Sequence, residues 1–319
     1  MTLKDVKWRL VYDILALQFK GKEFRFEDAL EYITSIGKDM GITNLKYASK
    51  LLNEIEDNAH AVHRRADDDQ RFRLYRLLSS EKVSTARGVY QKVLLTKQDG
   101  FELIDFVSEA NKSAGWDYGY IKESAVGFWT NYHRSVDVYH LSVSKEDADG
   151  WIALCRLWDG QIVIDGKVVY ESTAKPQTVH LHSDMDVRMG QFDKNHYQRP
   201  YYTIIECFKD NDFQGGLAVL ILQKENLNWK ELIKHASSSG LINTLGFSMD
   251  FVNKVSERIF FDKNTISKIE ENKSSSFETI EGVKGETWAD LVIADLENKW
   301  NVKCYQSHIL RKTVEDLIR

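Results

Sequence analysis

The sequence has few of the features that mark secreted, metal-stabilised or membrane-spanning chains. Its three cysteines, Cys155, Cys207 and Cys304, lie too far apart for the paired spacing of a zinc site or a disulfide framework. No apolar run approaches the roughly eighteen residues that a membrane span requires. The N-terminal MTLKDVKWRL has neither the apolar stretch nor the small-residue cleavage site of a secretory signal. We therefore expect a cytoplasmic protein without a membrane partner.

The composition is that of a folded chain with an uneven charge. Hydrophobic residues make up 43% and charged residues 29%, as in soluble globular proteins. The length of 319 residues fits two or three domains. Residues 1–95 contain 17 Lys and Arg against 14 Asp and Glu, and the remainder contains 26 against 34. This distribution excludes a chain that coats nucleic acid along its whole length. It permits a small DNA-contacting module at the front.

Hydrophobic periodicity predicts three helices before residue 59. In residues 4–19 we expect one buried stripe made of Val6, Leu10, Ile14 and Leu17, widened by Val11 and Leu15. A second helix is defined by Phe26, Ala29, Leu30 and Ile33 and ends near Gly37. Thr43 or Asn44 can cap a third helix. Its inward side chains are expected to be Leu45, Ala48, Leu52 and Ile55.

Residues 59–78 predict a β-hairpin, because two alternating segments flank the turn-forming ADDDQ. We expect the packed face to contain Val62, Phe72 and Leu74, and the solvent face to contain Arg64, Arg65, Arg71 and Arg73. The acidic run Asp67–Asp69 lies at the predicted tip, where it would repel phosphate. The hairpin is otherwise strongly basic.

Three helices followed by a basic hairpin resemble the winged helix-turn-helix family. In that family the third helix enters the major groove and the wing contacts the DNA backbone or minor groove. The resemblance implies double-stranded DNA as a partner. The residues that it places at the interface are Asn44, Lys46, Tyr47, Lys50, Asn53, Arg64, Arg65, Arg71 and Arg73. Lys46, Lys50 and Asn53 are suited to base edges, and the wing arginines to phosphates. A protein-docking module is the alternative.

Beyond the hairpin, residues 79–88 (SSEKVSTARG) predict a linker that runs into a helix near Arg87–Leu95. From Phe101 onward, helices alternate with strands, which indicates a compact α/β domain over a mixed sheet. The expected fold class is α+β or α/β, with a helical C-terminal part. The predicted boundaries are 1–80 for the winged helix, 81–100 for a linker helix, 101–262 for the α/β domain and 263–319 for a C-terminal extension.

The segments YIKESAVGFW and RSVDVYHLSV stand where a nucleotidyltransferase core has its small-residue turn, its helix and its Asp-bearing strand. With the preceding winged helix, the chain resembles the antitoxins of type IV toxin–antitoxin systems, the AbiEi class, over roughly residues 5–255. The resemblance implies an autorepressor with a nucleotidyltransferase-like domain. It also implies a cognate toxin as a second partner, and a homodimer on an inverted repeat is a further expectation.

Two residues in this region oppose nucleotidyl transfer. That chemistry needs two carboxylates spaced i and i+2 on a strand, and a small turn beside the triphosphate. Here Tyr139 replaces the second carboxylate after Asp137, and Glu123 puts a negative charge next to the turn. We therefore expect an inactive domain that uses no cofactor. The alternative is a metal-dependent nucleotidyltransferase that pairs Asp137 with Asp184, Asp186 or Glu206.

The run HLHSDMD offers a second arrangement, since His180, His182 and Asp184 alternate and could face one way. It could bind a metal ion, but a polar, solvent-facing strand edge explains it more simply. His140 is predicted to point away from Asp137. Trp116, Trp129, Trp151 and Trp158 are predicted to be core aromatics.

The back of the chain predicts helices over 214–255, with breaks around 226–228 and at Gly240. Residues 270–286 are polar and predict a loop. The tail predicts a helix, the short strand NVKCY and a second helix. It could complete the second domain or form a small third one.

Overall fold

A computed structural model describes residues 3–37, 42, 44–58, 60–65, 73–96, 102–131, 137–171, 177–281 and 293–318, and of residues 3–6, 64 and 65 the backbone alone. The fold is mixed α and β. Two compact units are interleaved along the chain: the first contains residues 1–119 and 137–189, and the second contains residues 120–136 and 190–319.

The first unit begins with three helices and a small antiparallel sheet. The elements are α1 (Leu3–Phe19), β1 (Phe24–Arg25), α2 (Phe26–Gly37), α3 (Leu45–Asp57), β2 (Ala61–Arg65) and β3 (Arg73–Leu77). The strand order is β1-β3-β2, and both pairings are antiparallel. The predicted positions of the three helices and of the hairpin strands are confirmed.

The buried face of α1 differs from the prediction. The stripe of Val6, Leu10, Ile14 and Leu17 was expected to be buried, but Leu10 is 44% exposed and Leu17 is 76% exposed. The buried stripe is Trp8, Val11, Tyr12 and Leu15. A helix buries one stripe at helical spacing, and aromatic side chains remove the most apolar area from water. The two rings therefore determine which face of α1 is packed.

Those two rings enclose His60, which is 6% exposed. Its ring lies 5.2 Å from that of Trp8 and 5.1 Å from that of Tyr12, measured between centroids. Burial, followed by the charges of Arg87 and Arg9, lowers the pKa of His60 to about 4. His60 is therefore neutral in the folded protein at neutral pH.

His60 should make the first unit sensitive to mild acid. Its folded pKa lies below the ordinary value of 6.5, so its contribution is complete above pH 6.5 and is lost as the pH falls toward 4. The loss should reach about 3 kcal/mol, from about 1.4 kcal/mol per unit of pKa. His60→Phe should reduce the difference between urea unfolding at pH 7.5 and at pH 5.0. His308→Gln, at an exposed position, is the control, and equal acid sensitivity in both variants would contradict this assignment.

In α3 the predicted inward residues Ala48, Leu52 and Ile55 are buried. Leu45 was predicted to join them, and that prediction is wrong, because Leu45 is 59% exposed. It is the first residue of the helix, so no preceding turn covers it. Asn44 is confirmed as the cap: its Oδ1 accepts a hydrogen bond from the Tyr47 N–H at 2.9 Å.

The hairpin packs differently from the prediction on one strand. Val62 is buried as expected, but in β3 the buried residues are Tyr75 and Leu77, and Leu74 is only half-buried. Phe72 lies outside the described residues. Tyr75 and Leu77 belong to the core of the three helices. Because side chains alternate along a strand, Leu74 lies on the other face.

The predicted linker at 79–88 is helical. Helix α4 (Ser80–Thr96) begins directly after the hairpin and buries Val83, Ala86, Val89 and Val93. The buried side chains are small and separated by polar residues, which is why the segment resembles a linker in sequence. Helix α5 (Leu103–Ala114) follows.

A five-stranded mixed sheet has the order β4-β5-β8-β6-β7. Its strands are β4 (Tyr118–Tyr120), β5 (Val138–Val143), β6 (Gln161–Ile164), β7 (Lys167–Tyr170) and β8 (Thr178–His182). β5, β8 and β6 are parallel, and β7 returns antiparallel to β6. The return uses the predicted turn at Asp165 and Gly166, both of which have positive φ. The predicted mixed sheet is confirmed.

Three helices accompany these strands in sequence: α6 (Lys122–Thr130), α7 (Ala148–Trp158) and the short α8 (Met185–Arg188). Trp116, Trp151 and Trp158 are buried, as predicted. Trp129, in the second unit, is partly buried against that unit's core and donates its Nε1–H to the Gln198 carbonyl at 2.7 Å. Within the described ranges, no helix has both the length and the apolar character needed to cross a membrane.

The second unit is mainly helical. Its further elements are α9 (Pro200–Lys209), α10 (Phe213–Leu222), α11 (Trp229–Ser238), α12 (Ile242–Val255), α13 (Lys263–Glu270), β9 (Glu278–Ile280), α14 (Ala294–Trp300), β10 (Val302–Cys304) and α15 (Ser307–Ile318). The predicted helix, strand and helix of the tail are confirmed. Trp300 and Val314 belong to the same core as Leu245 and Phe251, so the tail completes this unit.

The predicted loop at 270–286 contains β9, which pairs in parallel with β10. Its first residue, Glu278, accepts hydrogen bonds from the backbone N–H groups of Asn243 and Thr244 and from the Thr244 hydroxyl. The carboxylate therefore caps the start of α12 from a distant segment. Residues 270–286 are polar throughout, so the sequence gives no sign of this contact.

Candidate nucleic-acid interface

The outward face of α3 contains the side chains predicted to contact DNA. Packing of Ala48, Leu51, Leu52 and Ile55 against the core fixes the rotation of the helix. That rotation leaves Lys46, Lys50 and Asn53 exposed and Tyr47 half-buried. The structure therefore brings the predicted residues of the third helix together on one face.

Charge on this face is divided along the helix. Lys46 and Lys50 lie in the first half, and the ammonium of Lys7 lies 5.7 Å from the centroid of the Tyr47 ring. The last turns contain Glu54 and Asp57. The cationic half is thus the N-terminal half, the part of a recognition helix that contacts base edges in helix-turn-helix proteins.

Fewer of the predicted wing residues can be placed. Arg73 is exposed at the start of β3. The backbones of Arg64 and Arg65 pair with Leu74 and Arg73 in the hairpin ladder. Arg71 lies outside the described residues, as does the acidic run at 67–69. Among the four predicted hairpin arginines, Arg73 is therefore the one whose exposure the described residues establish.

Helix α2 exposes negative charge near its N-terminus, beside the predicted DNA-contacting residues in sequence. Its first turn contains Glu27 and Asp28, and both are exposed, as is Glu31 one turn later. Acidic residues near a helix N-terminus stabilise the helix dipole but repel phosphate. These three exposed carboxylates disfavour contact between the first turns of α2 and phosphate.

Several polar contacts fix the hairpin and α3 to the rest of the first unit. Arg76 pairs with Asp149 of α7 at 2.5 Å, and the Ser79 N–H donates to the same carboxylate at 3.0 Å. Arg156 of α7 donates from Nη2 to the Glu56 carbonyl at 3.0 Å. Its guanidinium lies 4.2 Å from the centroid of the Tyr170 ring. These contacts position the hairpin and α3 against α7 and the mixed sheet.

The Glu56 side chain adds a further contact between α3 and the hairpin. Its carboxylate accepts a hydrogen bond from His63 Nδ1. Burial acts to raise the pKa of Glu56, but the hydrogen bond and charge of His63, with the charges of Arg156 and Arg73, outweigh it, and the pKa lies below its usual value. The end of α3 therefore holds a charged carboxylate against the hairpin.

The residues that define the nucleotidyltransferase-like segment are described within each unit. In the first unit, Asp137 is exposed and its backbone carbonyl accepts the Thr178 N–H at 2.7 Å. Tyr139 packs edge-on against Trp158 of α7, with centroids 6.2 Å apart. Burial, then the charges of Glu102 and Asp137, raises the pKa of Tyr139. In the second unit, Glu123 is exposed and Ser124 is buried in the first turns of α6.

The structure does not bring Asp137 and Asp184 together. Asp137 immediately precedes β5 and Asp184 follows β8, and these strands are parallel with Val138 opposite Thr178 and Ser142 opposite His182. About five residues of strand separate the two positions, or roughly 16 Å at 3.3 Å per residue. One metal ion cannot bridge that distance.

Asp184 has other partners. It accepts hydrogen bonds from the Ser142 hydroxyl at 2.7 Å and from Arg188 Nε at 2.6 Å. Burial acts to raise the pKa of Asp184, but these two hydrogen bonds outweigh it and the pKa is lowered. Asp186 is exposed on α8. Glu206, in the second unit, accepts a hydrogen bond from Gln198 Nε2 at 2.7 Å.

Three histidines lie side by side on one face of β5 and β8. His140 stands opposite His180, with ring centroids 4.5 Å apart and nearly parallel. Nδ1 of His140 lies 3.1 Å from Nε2 of His182. These rings are 5.4 Å apart between centroids and tilted by 25°, so they meet edge to edge. That geometry is typical of an N–H···N hydrogen bond between imidazoles.

This cluster corrects the expected surroundings of the HLHSDMD run. His180 and His182 were expected at a solvent-facing strand edge, but β8 lies inside the sheet and both side chains are half-buried. Among the residues that the structure describes, no three His, Cys, Asp or Glu side chains are arranged to hold a metal ion. The cluster was missed because His140 comes from β5, some forty positions earlier in the sequence.

Comparisons of the chain with protein-family models, with curated proteins and with solved structures find no match. The arrangement of its residues is therefore the basis for a functional proposal.

Proposed function

We propose that this protein is a DNA-binding transcriptional regulator whose N-terminal residues 1–80 form a winged helix-turn-helix. One observation carries the proposal: the order helix, strand, helix, helix, strand, strand, with the first strand pairing beside the last in a β1-β3-β2 sheet. This order supports the proposal that α3 acts as the recognition helix and the β2–β3 hairpin as the wing.

The exposed side chains support the same assignment. Lys46, Lys50 and Asn53 provide donors suited to base edges and phosphates on the outward face of α3. Arg73 adds a cation on the hairpin. These groups would displace counterions from the duplex, which makes binding dependent on salt.

For the α/β part we propose a nucleotidyltransferase-like domain without transfer activity. Packing of Tyr139 against Trp158 supports this, because the position that would need a carboxylate holds a half-buried phenol ring in an aromatic contact instead. The separation of Asp137 from Asp184 removes one carboxylate pair of the alternative, a metal-dependent transferase. An antitoxin-like autorepressor with a cognate toxin remains our proposal for the biological role, and it rests on the sequence patterns alone.

DNA binding by the full chain tests the proposal. Labelled duplexes that tile the region upstream of the protein's own gene should be titrated by fluorescence anisotropy at several salt concentrations, with shuffled duplexes as controls. We expect one region to bind more tightly than its shuffled control, with affinity that falls steeply as salt rises. Footprinting should show two half-sites near whole helical turns apart. Salt-insensitive binding, or binding to no duplex, would contradict the proposal.

A further inference from the structure

Two imidazole rings on neighbouring strands point directly at each other. Nδ1 of His140, in β5, lies 3.1 Å from Nε2 of His182, in β8, and the ring centroids are 5.4 Å apart. The distance between the centroids equals the distance between the nitrogens plus one ring radius at each end. Each nitrogen therefore points along the line between the ring centres. One of the two nitrogens carries a hydrogen and donates it, and the other accepts it.

This alignment is that of a hydrogen bond and not of a metal site. Two imidazoles that hold a metal ion both point at the ion, which lies about 2.0–2.1 Å from each nitrogen and to one side of the line between them. The rings of His140 and His182 would both have to turn before a metal ion could bind between them. The ligand that suits the pair as it stands is a proton.

The pair lies on the face of the sheet opposite α7. Tyr139, the neighbour of His140, packs against Trp158 of α7, and side chains alternate along a strand. His180 is on the same face as the pair, with its ring 4.5 Å from that of His140 between centroids. The other described residues of the sheet on this face are uncharged: Gly119, Val138, Ser142, Gln161, Val163, Val168 and Thr178.

One carboxylate stands next to the pair, at the ends of the strands. Asp184 interacts electrostatically with His182. It also accepts hydrogen bonds from the Ser142 hydroxyl at 2.7 Å and from Arg188 Nε at 2.6 Å. Asp184 therefore offers a counter-charge to one cation, and Arg188 already uses part of it. Two further acidic groups lie at this end of the sheet and in α8: Asp165, which accepts hydrogen bonds from Ser183, and the exposed Asp186.

The pair can accept one proton without losing its hydrogen bond. The first added proton binds the outer nitrogen of the donor ring, so the N–H between the rings stays in place and becomes a stronger, charge-assisted donor. A second proton must bind the acceptor nitrogen. Two N–H groups would then face each other across 3.1 Å, on two cationic rings with the Arg188 guanidinium close by. Like charges at this distance repel, and the hydrogen bond is lost.

We propose that His140 and His182 form a pH-sensing pair, which joins β5 to β8 when it is neutral or singly protonated and loosens the two strands when it binds a second proton. The inference does not depend on the proposed DNA-binding function. It gives the mixed sheet its own response to acid, distinct from that of His60 in the helical module.

NMR of the full chain with 15N-labelled histidine tests the pairing, since ring nitrogen shifts report how many protons each imidazole carries. Spectra of His140→Gln and His182→Gln assign the resonances. Through the pH range in which the exposed His308 takes up its proton, we expect the pair to take up one proton, half of what two independent rings would bind. In His182→Gln, His140 should titrate as a single ring and take up a whole proton.

Amide hydrogen exchange tests the consequence for the strands. As the second proton binds at lower pH, exchange of the amides of β5 and β8 should become faster relative to the other strands of the sheet. His182→Gln should lose this local acceleration, although it retains His60, and the control His308→Gln should keep it. The inference is wrong if both rings of the parent protein take up whole protons together with His308, or if His182→Gln shows the same local acceleration as the parent protein.

Discussion

Replacing Gly246 with alanine should greatly reduce the stability of the second unit. Gly246 faces the indole of Trp300, and a Cβ placed on it would overlap that ring. Trp300 is fully buried, and its Nε1–H donates to Asp250 at 2.8 Å, so the ring cannot move aside freely. Overpacking costs about 1–3 kcal/mol in typical cores, and against an anchored ring we expect about 3 kcal/mol or more. Urea unfolding followed by tryptophan fluorescence and circular dichroism measures it.

Two further glycine variants serve as comparisons. Gly88 lies in α4 and a Cβ there meets no atom within 4 Å. Gly88→Ala should therefore stabilise the helix, by about 0.5–1 kcal/mol. In the first unit a Cβ on Gly150 would overlap Trp116, so Gly150→Ala should lower the unfolding transition of that unit instead. A Gly246→Ala protein as stable as the parent protein would show that the Trp300 packing is wrong.

Neutralising Lys50 and Arg73 together should weaken binding to every duplex by about a hundredfold or more. Both side chains are exposed, one on α3 and one on the hairpin. Each charge-assisted contact contributes roughly 1.5–3 kcal/mol, and the two contributions together exceed a factor of a hundred. Each cation removed from the interface leaves about one phosphate fewer neutralised and lowers the slope of log affinity against log salt by about 0.9, so the slope should fall by nearly two. Anisotropy titrations of Lys50→Gln/Arg73→Gln at several salt concentrations measure both quantities.

Lys268→Gln is the control for general electrostatics, since Lys268 is exposed on α13 in the second unit. This substitution removes one positive charge, as each substitution of the double variant does, but Lys268 lies outside the proposed interface. Equal losses of affinity in the control and in the double variant would show that attraction is diffuse and that α3 and the hairpin form no specific surface.

Local patterns predicted most elements, because helical period, strand alternation and caps are properties of neighbouring residues. The cap at Asn44, the turn at Asp165 and Gly166, and the three helices before the hairpin are examples. The face that a helix buries depends on what it meets. In α1 the choice between Leu10 and Trp8 was decided by packing around His60, which lies forty residues away or more.

The sequence also predicted part of the candidate site. The rotation of α3 follows from its apolar spacing, so the exposure of Lys46, Lys50 and Asn53 could be anticipated. The exposure of Leu45 could not be anticipated, because periodicity assigns an apolar residue at the start of a helix to the core. The histidine cluster required the pairing of β5 with β8, and that pairing is set by the whole sheet. The contacts of Arg76 with Asp149 and of Arg156 with the Glu56 carbonyl, which join the hairpin and α3 to α7, have no local signal at all.

Those contacts have a mechanical consequence. A DNA-reading module on a flexible tether can swivel, so two tethered modules tolerate variable gaps between their targets. Here α4 continues from the hairpin as a packed helix, and Arg76 and Arg156 fasten the hairpin and α3 to α7. These contacts join α3, the proposed recognition helix, to α7 within the first unit. On the proposed function, a partner that displaced α7 would also shift α3, and two copies bound side by side on DNA would accept only a narrow range of half-site spacings.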